Sequence, residues 1–345
     1  MKNRIVQSVI ENIGHAHSNS IGLFNGTMGV CMALYHVYLE APNEYVGKAA
    51  EDLLDEVIHK MPQLKDMSFE NGILGIGWAI NKLHMEMCIQ GDIDDILYNI
   101  DASLYRALTE PDAPFFKSMS NLLGALAYMV DRLSNPFHDC ASVQHLLNVD
   151  MLRLIMNNLS VMVPAYLANI NRDTASCVAW NVFVLFRSLA KAIRFGMCNN
   201  QINQMMYMWE TQLCTSFPFF HNNRLLFACV LESLNVSLGH QPLTEYTKLL
   251  LRSIDESSIR KEAISHVHCI STGWGYAVWI LNFVIKCKHD DADMVQLLSR
   301  TRSVIMRKGI REFSLTLNRV KNPNVSLVGG LSGILLLFYS KKSIL

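Results

Sequence analysis

Charge is scarce in this chain of 345 residues: only 17% are Asp, Glu, Lys or Arg, against 50% hydrophobic. That balance excludes a disordered chain, which needs the opposite composition to stay solvated, and it suits a large buried interior. The 30 basic residues cancel the 30 acidic ones and form no block. The electrostatic footprint of a nucleic-acid binder is therefore missing. No Cys-x-x-Cys occurs among the nine scattered cysteines. An odd number without that spacing argues against a disulfide frame and for reduced, buried thiols in a cytoplasmic protein. Residues Met1 to Ile13 lack the apolar core of a signal peptide. Apolar alternation at period two is nearly absent, which argues against a strand-rich fold.

Two charge-free runs, Cys269 to Ile285 and Val325 to Ser340, approach the length of a membrane-spanning helix. The first carries Ser271, Thr272 and Asn282, and the second opens on glycines. Both share a pattern with weaker segments elsewhere, so they read as buried helices of a soluble protein, and no membrane span is expected.

That shared pattern dominates the chain. Gly26 and Gly29 stand three apart at the start of an apolar stretch, as do Gly72 and Gly75, and Gly330 and Gly333. Asn121 with Gly124 and Thr272 with Gly275 are recognisable copies; Cys177 with Trp180 and Asn223 with Leu226 follow from spacing. The first positions are 46, 49, 56, 46, 49 and 58 residues apart. A period near 50 residues fits a repeated helical hairpin.

Amphipathic segments fill the intervals. Val46, Ala49, Ala50, Leu53, Leu54, Val57 and Ile58 follow helical spacing, with Glu51, Asp52, Asp55 and Glu56 on the other face. Ile93 to Leu108, Asp150 to Leu167, Gln201 to Cys214, Leu243 to Ile254 and Asp293 to Lys308 are similar. Pro42, Pro111 to Pro114, Pro136, Pro242 and Pro323 fall where hairpins turn. The expected fold is all-α: one domain over 1–345, an α/α toroid of seven hairpins with inner and outer helical barrels.

The residues just ahead of the first slots are Asn25, Asn71, Ser120, Ser176, Asn222, Ser271 and Gly329. Six of these are good helix N-caps. In a toroid they gather at one mouth of the barrel, where helix N-termini favour anions.

Gly22 to Leu34, Phe69 to Leu83 and Ser326 to Phe338 resemble the lanthionine synthetase C-like family, and the spacing extends the likeness over about the whole chain. The resemblance implies an α/α toroid in which zinc activates a peptide cysteine for addition to a dehydroamino acid. It also implies zinc ligands beside the glycine slots: a Cys in the fifth unit and Cys-His in the sixth. Here His221 stands at the fifth-unit position, and Ile270 and Ser271 at the sixth. Ser176 replaces a fourth-unit histidine, and Lys117 lies near a third-unit acid. None of these side chains is kept in kind.

The expectation is therefore a non-catalytic, zinc-free member, binding a peptide or a peptide-modifying enzyme at a mouth that includes His221. One alternative is an active thioether cyclase, either with zinc ligands displaced to His221, His268 and Cys269 or with His221 as a metal-free base. Another is a carbohydrate-active toroid using paired carboxylates. The runs Asp92, Asp94, Asp95 and Asp290, Asp291, Asp293 read as capped helix starts, and Met205, Met206 and Met208 as core filler.

Overall fold

The computed structural model describes residues 2–16, 20–110, 114–168, 176–263, 273–288, 291–317 and 323–339. Among them are fifteen α-helices and no strand. In chain order they are α1 Lys2–Ala16, α2 Thr27–Glu40, α3 Glu44–Lys60, α4 Ile73–Met85, α5 Ile93–Thr109, α6 Met119–Leu133, α7 Val143–Leu167 and α8 Ser176–Arg194. The remainder are α9 Asn199–Thr215, α10 His221–Leu238, α11 Gln241–Arg252, α12 Glu256–Glu262, α13 Gly273–Cys287, α14 Ala292–Leu317 and α15 Leu331–Tyr339.

Contacts divide the chain into two compact units. The first comprises Met1–Asp66, Glu70–Ala79 and Asp255–Leu345; the second comprises Met67–Phe69 and Ile80–Ile254.

In the first unit the apolar helices α13, α15 and α2 lie side by side. Every residue of α2 from Thr27 to Val37 is buried, as a helix covered on all sides requires. Amphipathic helices flank this layer: α14 on α13 and α3 on α2. Helix α3 forms because Val46, Ala50, Leu53, Leu54 and Val57 share its buried face, each large one worth about 1.5–3 kcal/mol. Asn43 starts it by accepting from the Tyr45 and Val46 N–H groups. Helix α15 is flanked by α1, from the far end of the sequence. Gly309 on α14 lets the Trp274 indole of α13 lie directly against its backbone.

The second unit repeats the two layers. Helices α6, α8 and α10 form the apolar row, while α5, α7, α9 and α11 pack one on the next outside it. Helix α7 starts at Val143, ahead of the expected Asp150, because Ser142 caps it by accepting from the His145 N–H at 3.0 Å. It also contains Pro164. Proline has no N–H for the Ser160 carbonyl one turn back. The Trp209 indole supplies that donor from α9, at 3.2 Å.

Several expectations change. Gln241 and Pro242 open α11 rather than forming a turn, since proline is preorganised for the first helical turn. Only Cys31 and Cys229 are buried among the seven described cysteines, all of them unbridged, so most of the thiols are not core. Met208 is exposed, unlike Met205 and Met206, because it lies on the solvent face of α9. Within the described residues the two charge-free runs hold helices of 15 and 9 residues, shorter than the roughly 20 residues a spanning helix needs. The one described helix long and apolar enough to do so is α7, whose most apolar stretch is 39% buried.

Candidate functional site

The loops that open the apolar helices have their own geometry. In three of them the first helical N–H donates to a carbonyl seven residues back: Thr27 to Ser20 at 3.1 Å, Ile73 to Asp66 at 2.9 Å, and Leu331 to Asn324 at 2.9 Å. The hydroxyls of Thr27 and Ser332 make the same reach, to Ser20 and Val325. The first glycine slot permits this fold-back. A Cβ on Gly26 would fall 2.6 Å from the Gly22 oxygen, and one on Gly330 would fall 2.6 Å from the Ser326 nitrogen.

The second slot has a different task. A Cβ on Gly29 would fall 2.7 Å from the Leu327 Cβ, and one on Gly124 would fall 2.5 Å from the Phe69 Cβ. Leu327 lies three residues ahead of the first slot of the last copy, and Phe69 three ahead of that of the second. Each such glycine is thus a seat for the neighbouring loop's apolar side chain. Within the first unit the loops are also linked by backbone bonds. The Val328 N–H donates to the Phe24 carbonyl at 3.1 Å, and the Phe24 N–H donates to the Glu70 carbonyl at 2.7 Å.

This wiring corrects the expected caps. Gly26, not Asn25, caps α2, with no side-chain bond, because loop carbonyls already answer the helix N–H groups. Asn25 turns outward, and its amide reaches the Asn71 side-chain oxygen at 3.5 Å. Ser118, not Ser120, caps α6, accepting from the Asn121 N–H at 3.3 Å; Ser120 lies within the helix. Phe220 precedes α10, so His221 and Asn222 occupy its first turn, the former half-buried and the latter buried. Ser176 is the first residue of α8. Ser271, His268 and Cys269 lie outside the described residues, so of the displaced zinc set only His221 is described. Among the described residues no three His, Cys, Asp or Glu side chains group around a metal position. Asp92 and Asp291 do cap α5 and α14, accepting from Asp94 and Met294 N–H groups.

The loop into α10 carries a feature that composition does not reveal. Phe219 is 68% exposed and Phe217 40% exposed, directly ahead of His221. Buried Arg224 holds this loop rigid. Its Nε donates to the Pro218 carbonyl at 3.2 Å and its Nη2 to the Phe219 carbonyl at 3.2 Å. Its Nη1 donates to the Ser253 carbonyl at 2.9 Å, and the guanidinium lies 4.0 Å from the Phe217 ring centroid. Exposed aromatics held in one conformation make an adhesive surface at small entropic cost.

A second unforeseen cluster joins α5, α6 and α7. Arg132 is fully buried and donates to Asp101 at 3.2 Å and to Asp94 at 2.6 Å. Tyr128 donates to the other Asp101 oxygen at 2.5 Å. His138 Nδ1 lies 2.6 Å from Asp94, and its Nε2 lies 3.1 Å from the His145 Nδ1. Burial alone would raise Asp94, but bonds from His138, the Asp139 N–H and Arg132 hold it below the usual range. Burial, and then the neighbouring His138, lower His145.

A pH dependence follows. His145 is lowered in the fold from the ordinary 6.5, so the unfolded chain takes up its proton first. Stability contributed there is present above 6.5 and is lost as the pH falls through that value. Urea unfolding on either side of it should show the drop, and His145→Asn should remove it. An unchanged slope in the variant would assign the titration elsewhere.

No family model matches the chain, and no curated protein matches it.

Proposed function

We propose that the chain is a peptide-binding α/α toroid, built like the lanthionine synthetase C-like proteins but without catalysis. Seven apolar helices form the inner ring on this reading, and the opening loops form one rim. Two observations support the ring: the rows α13, α15, α2 and α6, α8, α10 within their units, and the seating of Leu327 on Gly29 and Phe69 on Gly124 at one register. The role of α1 as the flank of α15 supports closure between the first and last copies.

The observation that carries the binding function is the clamped aromatic loop, with Phe217 and Phe219 exposed and fixed by Arg224 beside His221. Aromatic anchors in a rigid setting dominate peptide and protein recognition. Zinc has no part in this reading, because the resemblance places Ser176, His221, Ile270 and Ser271 where ligands are needed, and at most one of these side chains can bind the metal. No thiol is activated, so the peptide leaves unchanged.

Fluorescence anisotropy with a library of unmodified peptides tests the binding. Phe219→Ala should weaken the best binder about tenfold or more, as expected when an anchor worth about 2 kcal/mol is truncated. His221→Ala should fold normally and bind nearly as well. Equal affinity in the Phe219 variant would remove the aromatic loop from the interface. Stoichiometric zinc, together with loss of peptide thiol on incubation with a dehydroalanine peptide, would replace the non-catalytic reading with a cyclase. Binding of oligosaccharides in place of peptides would sink both.

A further inference from the structure

The solvent side of α7 has the wrong composition for a surface left in water. A helix with one free side normally charges it, as α3 does with Lys48, Glu51, Asp52, Asp55 and Lys60. Along the 25 residues of α7, Asp150 and Arg153 are the only Asp, Glu, Lys or Arg. Its outer side instead carries Val143, Leu146, Leu147, Leu154 and Val161, all exposed, with Val143 at 73% and Val161 at 78%. The core does not need them, because Met151, Leu152, Ile155, Met156 and Leu159 already bury the opposite side.

The exposed positions Val143, Leu147, Asp150, Leu154, Asn157 and Val161 follow one another at alternating steps of four and three. An average step of 3.5 is the seam along which two helices pack side by side. The flanking helices widen the patch: α5 adds exposed Tyr98 and Tyr105, and α9 adds exposed Tyr207 and Met208. A face about 37 Å long and three helices wide, with about 8–10 Å between axes, has room for the roughly 800 Å² per partner of a stable interface.

The charges identify the occupant. Asp150 and Arg153 lie at the middle of the stripe, 2.8 Å apart, and remain 63% and 61% exposed. Arg153 also bonds the Cys198 side chain, and Gln201 of α9 donates to Asn157 at 2.6 Å, so these polar groups are held in place. A half-turn about an axis at the level of Leu152 sets the negative end of the Asp150–Arg153 pair beside the positive end of its copy. Val143 then meets Val161 of the other copy, and Val161 meets Val143. A parallel pairing would instead set Asp150 on Asp150 and Arg153 on Arg153, which like charge disfavours. A bilayer would have to take both charges into its apolar depth, and the face has no fringe of lysine and arginine to draw it to anionic lipid. We propose that the α7 face binds a second copy of this chain, antiparallel about that two-fold axis. The interface depends on neither the ring nor the peptide reading.

Sedimentation equilibrium of the full chain from about 1 to 100 μM tests it, and a concentration-dependent dimer is expected. Leu154→Glu should weaken the dimer about a hundredfold, since the two-fold axis makes every substitution count twice. Arg153→Asp and Asp150→Arg should each weaken it about tenfold, by setting like charges across the axis. The double variant Asp150→Arg with Arg153→Asp should dimerise like the unaltered chain, because the reversed pair is again complementary to its copy. In the unaltered protein, amide hydrogen exchange of residues 143–161 should slow as the concentration rises, a readout that needs no variant to fold. A monomer throughout the range, a dimer indifferent to these substitutions, or a double variant as weak as the single ones would overturn the proposal. So would a monomer that binds vesicles of phosphatidylcholine and phosphatidylserine and loses them on Leu154→Glu.

Discussion

Gly29→Ala is expected to cost about 3 kcal/mol or more, or to prevent folding outright. Ordinary overpacking is relieved when side chains shift. Here the added methyl would run into the Leu23 carbonyl oxygen, which belongs to the fold-back loop itself, and would lie 2.7 Å from the Leu327 Cβ. Neither neighbour can yield without undoing the loop. Gly329→Ala, one residue before a first slot, is the internal control. Its methyl would meet atoms no nearer than 3.4 Å, so a change within about 0.5 kcal/mol is expected. Gly239→Ala is intermediate: nothing lies within 4 Å, but its φ of +69° costs an L-residue about 1–2 kcal/mol. Denaturant titration of the three variants should rank them in that order. Gly29→Ala behaving like Gly329→Ala would show that the loop is not seated as described.

Arg132→Met should cost about 3–5 kcal/mol, the usual penalty for removing one member of a buried ion pair. The loss of attraction is the smaller part. Asp101 is fully buried and would be left with its charge opposed only by the Tyr128 and amide donors. Burial already pushes the Asp101 carboxyl up, against the pull of Arg132. Without the guanidinium it would take up a proton more readily still, so the defect of the variant should shrink as the pH is lowered. Adding Asp101→Asn should recover part of the loss, because the orphaned charge is then gone. A double variant as unstable as the sum of the two single ones would mean that the residues act independently.

How much of this could be read in advance depends on the range of the interaction. The spacing of Gly26 and Gly29 is visible because both glycines serve one loop and one helix start. Their partners are not. Gly124 is explained by Phe69 and Gly29 by Leu327, and no local pattern pairs such distant positions. Helix capping went wrong at Asn25 for a related reason: a side-chain cap is favoured only where the N–H groups lack another acceptor, and there a carbonyl seven residues back provides one. At Ser120 it went wrong because α6 begins a residue earlier and takes its cap from Ser118. The start of α7 was obscured because Val143 and Leu146, though apolar, face solvent. Asp94 reads correctly as part of a capped helix start, but its work for Arg132 and His138 depends on α6 and α7 and has no local signature. The aromatic loop was missed because phenylalanine in sequence looks like core. Only its exposure, and the long reach of Arg224, give it a different meaning.

The pairing of α1 with α15 bears on how the protein is made. The Lys2 ammonium donates to the Phe338 carbonyl at 3.2 Å, across 336 positions of chain. On the ribosome, the bare flank of α2 must wait in solvent until α15, about 300 residues later, has emerged. That interval exposes greasy surface to aggregation and to holding chaperones. A message cut short before α13 would leave the early helices with nothing to close upon, and its product should be degraded rather than persist as a smaller, working version.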